Sequence, residues 1–203
     1  MIRLMVVDDH PVSAAGVVAA ITAGGDIEVT GMASTLGEIE AVVAEARPDV
    51  ILCDIQLGPD RTIELPRRLP QPAPPIIFFT SYDYPSFVRA ALDNGAAGFV
   101  LKTAPLGEIV AAIRSVAGGG TAYGSRHLKD AHKAERMPSA RELQVISLVA
   151  AGRSNAEIGA GLKIDERTVE SHLRRLFDRY DADSRTELIT HCLRAGWIDL
   201  SAE

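Results

Sequence analysis

Along the first half of the chain, short and mostly apolar runs alternate with segments of helical period. The runs are Ile2–Val7, Ile27–Ala33, Val50–Cys53, Ile76–Phe79 and Gly98–Leu101. Runs of this kind suit strands buried on both faces, as in a parallel sheet. Between and after them, helical period falls at Val12–Ala23, Leu36–Ala46, Thr62–Leu69, Ser86–Asn94 and Leu106–Ala117. Pro105 stands just before the last of these, where proline suits a first helical turn. Five strand–helix units in a row predict a doubly wound α/β domain over residues 1–118, with a five-stranded parallel sheet.

The pattern breaks at Gly118-Gly119-Gly120. Residues 119–137 are polar, carry charges of both signs and lack a clear period, so they read as a linker with room for a helical piece. Such a glycine-led stretch is expected to support no fixed packing and to let the halves separate. From Pro138 to residue 203 the signals are helical. Ser139 with Glu142, Ser154 with Glu157 and Ser184 with Glu187 each match the S-x-x-E capping pattern, and Asp165 is a further N-cap candidate. These predict a small all-α domain of four helices.

At 47% hydrophobic and 24% charged, the 203-residue chain can bury a core in each domain. Only 5% is aromatic, so aliphatic residues must fill it. The net charge of -6 gives no general attraction to nucleic acid, and any basic face must be local. From Pro138 onward there are 9 basic and 11 acidic residues. Cys53 and Cys192 stand far apart and suggest no disulfide framework. The opening apolar run is too short for a signal peptide, and no stretch is long enough to span a membrane. A cytoplasmic protein without a membrane partner is expected.

Strand ends carry the chemistry of α/β sheets. Asp8 and Asp9 follow the first strand, Asp54 the third, Thr80 the fourth and Lys102 the fifth. Taken singly each has an ordinary reading, as a helix cap or a surface lysine. If the first strand lies beside the third, carboxylates, a hydroxyl and an ammonium converge at one edge. Crowded carboxylates call for a counter-ion, and a hard divalent cation such as Mg²⁺ suits oxygen ligands. An aspartate there can act as nucleophile toward a phosphoryl group. Lys102 would pair with the added charge, and Thr80 would donate to a phosphoryl oxygen.

The segments Val6-Val7-Asp8-Asp9-His10, Leu52-Cys53-Asp54-Ile55, Phe79-Thr80-Ser81 and Gly95 to Lys102 resemble those of CheY-like receiver domains. The resemblance implies that Asp54 accepts phosphate from a sensor histidine kinase. It implies Asp9 and Asp54 as Mg²⁺ ligands, Asp8 assisting through water, and the Gln56 carbonyl completing the set. Thr80 and Phe99 take the switch positions. Two departures stand out. The family's Met-Pro and Asp-Gly are replaced after the acceptor by Gln56-Leu57-Gly58-Pro59-Asp60-Arg61-Thr62, and Thr103 follows the lysine where proline is common. Pro66 and the 71–75 stretch also predict a short or broken third helix.

In the second half, Ser154–Phe177 reads as helix, turn and helix, with Gly159, Ala160 and Gly161 allowing close approach. Arg167, Thr168, Glu170, Ser171, Arg174 and Arg175 fall on accessible faces of the second helix, and its arginines and small hydroxyl residues suit phosphate and major-groove contacts. Arg179 extends this face. Pattern alone equally fits a solvated α-hairpin. The segments Pro138–Glu142, Ala151–Asn155, Thr168–His172 and Arg185–Leu188 are similar to the NarL/LuxR-type domain. By position, Glu170, Ser171 and Arg174 fall where its members touch bases and backbone, and Glu170 replaces a common lysine.

Together these features predict a two-component response regulator, not an enzyme. Phosphorylation would control binding to double-stranded promoter DNA, with RNA polymerase a further candidate partner. A homodimer is expected on phosphorylation or DNA binding, through the last helix (Leu188, Ile189, Leu193) or receiver helices one and five. Phe99 is expected to move inward when phosphate draws Thr80 away. The alternative is an atypical receiver that regulates DNA binding without phosphate. A haloacid-dehalogenase-type phosphatase is disfavoured, because that chemistry needs D-x-D after the first strand and this chain has Asp8-Asp9-His10.

Overall fold

The computed structural model describes residues 1–58 and 60–198, without the side chains of residues 11–15. Two compact units divide the chain, Met1–Glu135 and Arg136–Glu203.

In the first unit, β1 (Ile2–Val7), β2 (Ile27–Ala33), β3 (Val50–Cys53), β6 (Ile76–Thr80) and β7 (Gly98–Leu101) form one parallel sheet in the order β2-β1-β3-β6-β7. The order reverses between β1 and β3, which opens a crevice beyond their carboxyl ends. Val7 pairs with Cys53, so the residues after each strand emerge side by side. All of β3 and β6 is buried, as continuous apolar strands between two helical layers should be. On one face Leu4, Val6, Leu52, Ile77 and Phe79 pack against Ile109, Ile113 and Val116 of α5 (Leu106–Ala117). That face also receives Ile21 of α1 (Pro11–Thr22). The other helices are α2 (Ile39–Ala46), preceded by a 3-10 turn at Leu36–Glu38, and α4 (Pro85–Asp93).

The loop after β3 departs from a plain strand-to-helix crossover. Gln56–Leu57 (β4) and Asp60–Arg61 (β5) form a short antiparallel hairpin. Pro59, at its tip, lies outside the described residues. The third helix, α3, is only Leu65–Arg68, shorter than the Thr62–Leu69 period predicts. Its N-terminal turn starts late because Thr62 is held back: its hydroxyl donates to the Asp54 carbonyl and its N–H to the Ile55 carbonyl.

The 119–137 stretch is not without fixed packing. Ser125–Ala131 forms α6, which packs against α4 within the first unit. Ala122 makes a bridge to Gly98 at the edge of the sheet.

The second unit contains α7 (Ala140–Ala150), α8 (Asn155–Leu162), α9 (Glu166–Tyr180) and α10 (Arg185–Arg194). Reciprocal capping boxes start α7 and α8. The third box is half formed: Ser184 accepts from the Glu187 N–H, but the Glu187 carboxylate turns to the Asp183 N–H instead. Asp165 occupies the N-cap position of α9 without a side-chain cap bond. Gly159 is where α8 and the turn meet, since a Cβ there would lie 2.7 Å from the Ile164 carbonyl oxygen. Gly161 has open space around it and plays no such part. Ile146, Ile158, Val169, Leu176, Leu188 and Trp197 fill the core. Leu188 is therefore core and not a partly exposed dimer contact; Ile189 and Leu193 remain half-buried. Among the described residues no helix is long and apolar enough to cross a membrane.

Candidate functional site

The crevice between β1 and β3 gathers the strand-end residues. Asp54 N donates to the Val7 carbonyl over 2.8 Å, which carries the strand register one residue past β3 and sets Asp54 beside Asp8. Lys102 arrives from the far side of β6, its N–H donating to the Thr80 carbonyl. Its Nζ then donates to Asp54 Oδ2 over 2.6 Å and to Asp8 Oδ2 over 2.7 Å. The remaining oxygens are held by the backbone. Asp54 Oδ1 accepts from Gln56 N at 3.2 Å, and Asp8 Oδ1 from His10 N at 2.9 Å.

Charge in this pocket is incompletely balanced. Burial raises the Asp54 carboxyl above its ordinary value, and the Asp8 charge adds to the rise, against the Lys102 and Gln56 hydrogen bonds. Burial also acts to lower Lys102, but its bonds to Asp54 and Asp8 outweigh it, so the ammonium is raised. One ammonium thus serves two carboxylates, with Asp9 alongside.

Asp9 shows the room for a cation most directly. Its Oδ2 accepts from Gly58 N at 2.7 Å. Its Oδ1 is buried and makes no hydrogen bond of acceptable geometry, although His10 Nδ1 stands 2.7 Å away. Asp8, Asp9 and His10 bring ligand atoms within 4.8 Å of one another. Carboxylate oxygens suit a hard cation such as Mg²⁺; the imidazole nitrogen of His10 suits it poorly. The donor set therefore fits Mg²⁺ through oxygen.

Thr80 is fully buried at the end of β6, and its Oγ1 accepts from Tyr82 N rather than meeting a carboxylate. Phe99 is 2% exposed, so no outward, solvated ring waits to turn in: its cover is His127 of α6, edge-on at 5.8 Å. Lys102 and Thr103 are joined by a trans bond; the cis peptide among the described residues is Gln71–Pro72. The residues that sequence reasoning missed are in the substituted loop. Gly58 clamps Asp9, Thr62 clamps the Asp54 carbonyl, and the Arg61 guanidinium lies 5.2 Å from the Phe87 ring centre on α4. The signal available was the loop's departure from the receiver pattern.

A separate surface lies on α9. Val169, Leu173, Leu176 and Tyr180 are buried, and their spacing sets the opposite face outward. Arg167, Glu170, Ser171, Arg174 and Arg175 are exposed, and Thr168 is half-buried. Arg175 Nη2 donates to Ser171 Oγ at 3.2 Å, so these two form one local unit. Among the described residues Arg167 and Arg174 make no ion pair, leaving both guanidinium groups for an anion. Arg179, exposed at the end of this face, already holds the capping-box carboxylate Glu142 at 3.0 Å and 3.1 Å. Arg185 likewise is structural, donating to the Arg153 carbonyl and Asn155 Oδ1 and so tying α10 to the start of α8.

The comparisons with known proteins agree with both halves. The family model of the response regulator receiver domain matches residues 4–114, and that of the bacterial regulatory proteins of the luxR family matches 139–192. The chain is 32% identical over 208 residues to the transcriptional regulatory protein LiaR of Bacillus subtilis, covering 96% of this chain and 98% of that protein. It is 34% identical over 208 residues to the transcriptional regulatory protein MctR of Rhizobium johnstonii, covering 97% and 95%. The solved structure of the response regulator ChrA of a heme-sensing two-component system matches with a TM-score of 0.53 at 30% identity, over 97% of this chain and 98% of that one. With a receiver fold, an acidic crevice bridged by a lysine, and a helix-turn-helix unit, the chain belongs to the LuxR-type two-component response regulators.

Proposed function

We propose that Asp54 is the phosphoacceptor and that its phosphorylation by a sensor histidine kinase controls binding of α9 to double-stranded promoter DNA. The observation that carries this reading is the Lys102 bridge, an ammonium held between Asp8 and Asp54 at a half-balanced crevice. An Asp54 carboxylate oxygen attacks the phosphorus of a phosphohistidine. The phosphorus–nitrogen bond breaks, its electron pair stays on the imidazole, and an acyl phosphate remains on Asp54. Lys102 passes from the carboxylate to a phosphoryl oxygen, and Thr80 gives up Tyr82 N to donate to another.

Asp8, Asp9, Asp54 and the Gln56 carbonyl are the groups that would hold Mg²⁺. When bound, it supplies positive charge against the carboxylates and the incoming phosphoryl group. The retained Asp54–Lys102 contact favours this reading over phosphate-independent regulation.

On the DNA side, Arg167 and Arg174 contact phosphates or guanine, and the Ser171–Arg175 unit approaches the backbone. Glu170 repels phosphate and suits acceptance from cytosine N4. With 9 basic against 11 acidic residues from Pro138 onward, one unit binds weakly, and a homodimer on paired half-sites supplies the rest.

The test is incubation of the protein with Mg²⁺ and acetyl phosphate. Intact mass should show one added phosphate, absent in Asp54→Asn. Equal labelling of that variant sinks the assignment.

A further inference from the structure

Segment 121–134 closes over the part of the first unit that would report the state of Asp54. Its entry is a sheet-edge contact: Phe99 N donates to the Ala122 carbonyl at 2.8 Å, and Ala122 N to the Ala97 carbonyl at 2.9 Å. Gly98 is required for it, because a Cβ there would stand 2.9 Å from the Ala122 Cβ and carbonyl oxygen. Tyr123 Oη donates to the Ala96 carbonyl at 2.8 Å. Beyond it α6 lies on α4, with Ala131 buried and Arg89 Nη1 donating to the Ala134 carbonyl at 2.8 Å.

His127 is the point of contact with the switch. Its ring stands edge-on to Phe99, and its Nε2 lies 3.2 Å from Asp83 Oδ1. Asp83 belongs to the loop between β6 and α4, and the same loop supplies Tyr82 N to the Thr80 hydroxyl. The Asp83 support of His127 therefore depends on where Thr80 sits. A helix of seven residues does not hold itself in water, so α6 exists only while docked.

We infer that α6 is a latch on the receiver, with His127 reading the switch through Asp83 and Phe99, and that phosphorylation undocks it. This rests on Asp54 being the phosphoacceptor. When Thr80 turns to the phosphoryl group it releases Tyr82 N, the loop carrying Asp83 moves, and His127 loses its contact with Asp83, which loosens its hold against Phe99. Docked, α6 holds residues 125–131 on the first unit, whose boundary with the second falls between Glu135 and Arg136. Undocked, residues 124–135 become a tether that extends to about 40 Å. That reach lets the DNA-binding units of a dimer find their half-site spacing.

The experiment is amide hydrogen exchange over residues 124–134 of the full chain, with and without Mg²⁺ and acetyl phosphate, and with intact mass on the same samples. In the unphosphorylated protein these amides should be protected, and phosphate should accelerate their exchange at least tenfold while α5 stays protected. His127→Ala, and Asp83→Asn as a milder surface variant, should exchange fast without phosphate yet take up phosphate normally. Phosphate uptake with unchanged exchange overturns the latch. Failure of the wild type to take up phosphate overturns the Asp54 reading instead. In that case protection that is equal in wild type, His127→Ala and Asp83→Asn still overturns the latch.

Discussion

The Lys102 ammonium donates to Asp54 Oδ2 over 2.6 Å from a side chain that is only 15% exposed. Removing it leaves the Asp8 and Asp54 carboxylates buried without their cation. Breaking a buried pair from one side costs several kcal/mol, and some solvent access softens that here. Lys102→Ala should therefore lose about 2–4 kcal/mol of stability in metal-free buffer. Urea unfolding followed on the receiver would show it; a loss within about 0.5 kcal/mol would mean the bridge is merely a surface contact.

Mg²⁺ should stabilise the folded protein by mass action, because its oxygen ligands converge only in the native crevice. At ten times its dissociation constant the gain is about 1.4 kcal/mol. Thermal unfolding across a Mg²⁺ titration should show a rising midpoint. Asp9→Asn, which removes the carboxylate whose Oδ1 lacks a hydrogen bond, should flatten that rise. An undiminished rise in the variant would place the cation elsewhere.

Arg179 holds Glu142 inside the second unit, and Arg179→Ala should cost about 1–2 kcal/mol at neutral pH. Although burial acts to raise it, the Glu142 carboxyl ends below its ordinary value because the Ser139 N–H and Arg179 favour the charged form. A depressed carboxylate contributes stability above its unfolded value, which is lost as pH falls through the folded value. The difference between wild type and variant should thus be complete at pH 7 and shrink below the ordinary value of 4.5. Unfolding curves at a series of pH values test the sign; a difference that grew toward acid would refute it.

On DNA, Arg167→Ala and Arg174→Ala should weaken binding by about 1–3 kcal/mol each. Loss of a phosphate contact lowers the salt slope by about one, whereas loss of a guanine contact relaxes preference at one position. Titrations at several salt concentrations, on operator and on scrambled DNA, separate the two. Normal affinity in both variants would move the interface off α9.

Two protomers should occupy a full operator. Sedimentation of the phosphorylated protein with operator DNA reads the stoichiometry directly, and one protomer per operator at saturation would refute the dimer.

The sheet and the acidic site were legible in the sequence for a local reason. Strands buried on both faces have no polar alternation, so Leu4–Val7, Val50–Cys53 and Ile76–Phe79 stand out, and their ends name Asp8, Asp54 and Thr80 without any knowledge of packing. Capping boxes at Ser139 and Ser154 are equally local, since a hydroxyl and a carboxylate three residues apart satisfy the same helix end. What tertiary structure decided depends on partners distant in the chain. Arg179 resembles its neighbour Arg175 in sequence, but Glu142, 37 positions away, engages its guanidinium while that of Arg175 turns to Ser171. Leu188 has the same helical period as Ile189 and Leu193, and only the fold shows which one faces the core. Segment 125–131 has too little apolar period and too few residues to announce a helix. It is one because α4, Phe99 and Asp83 supply the surface it lacks by itself, and short helices take their stability from packing rather than propensity.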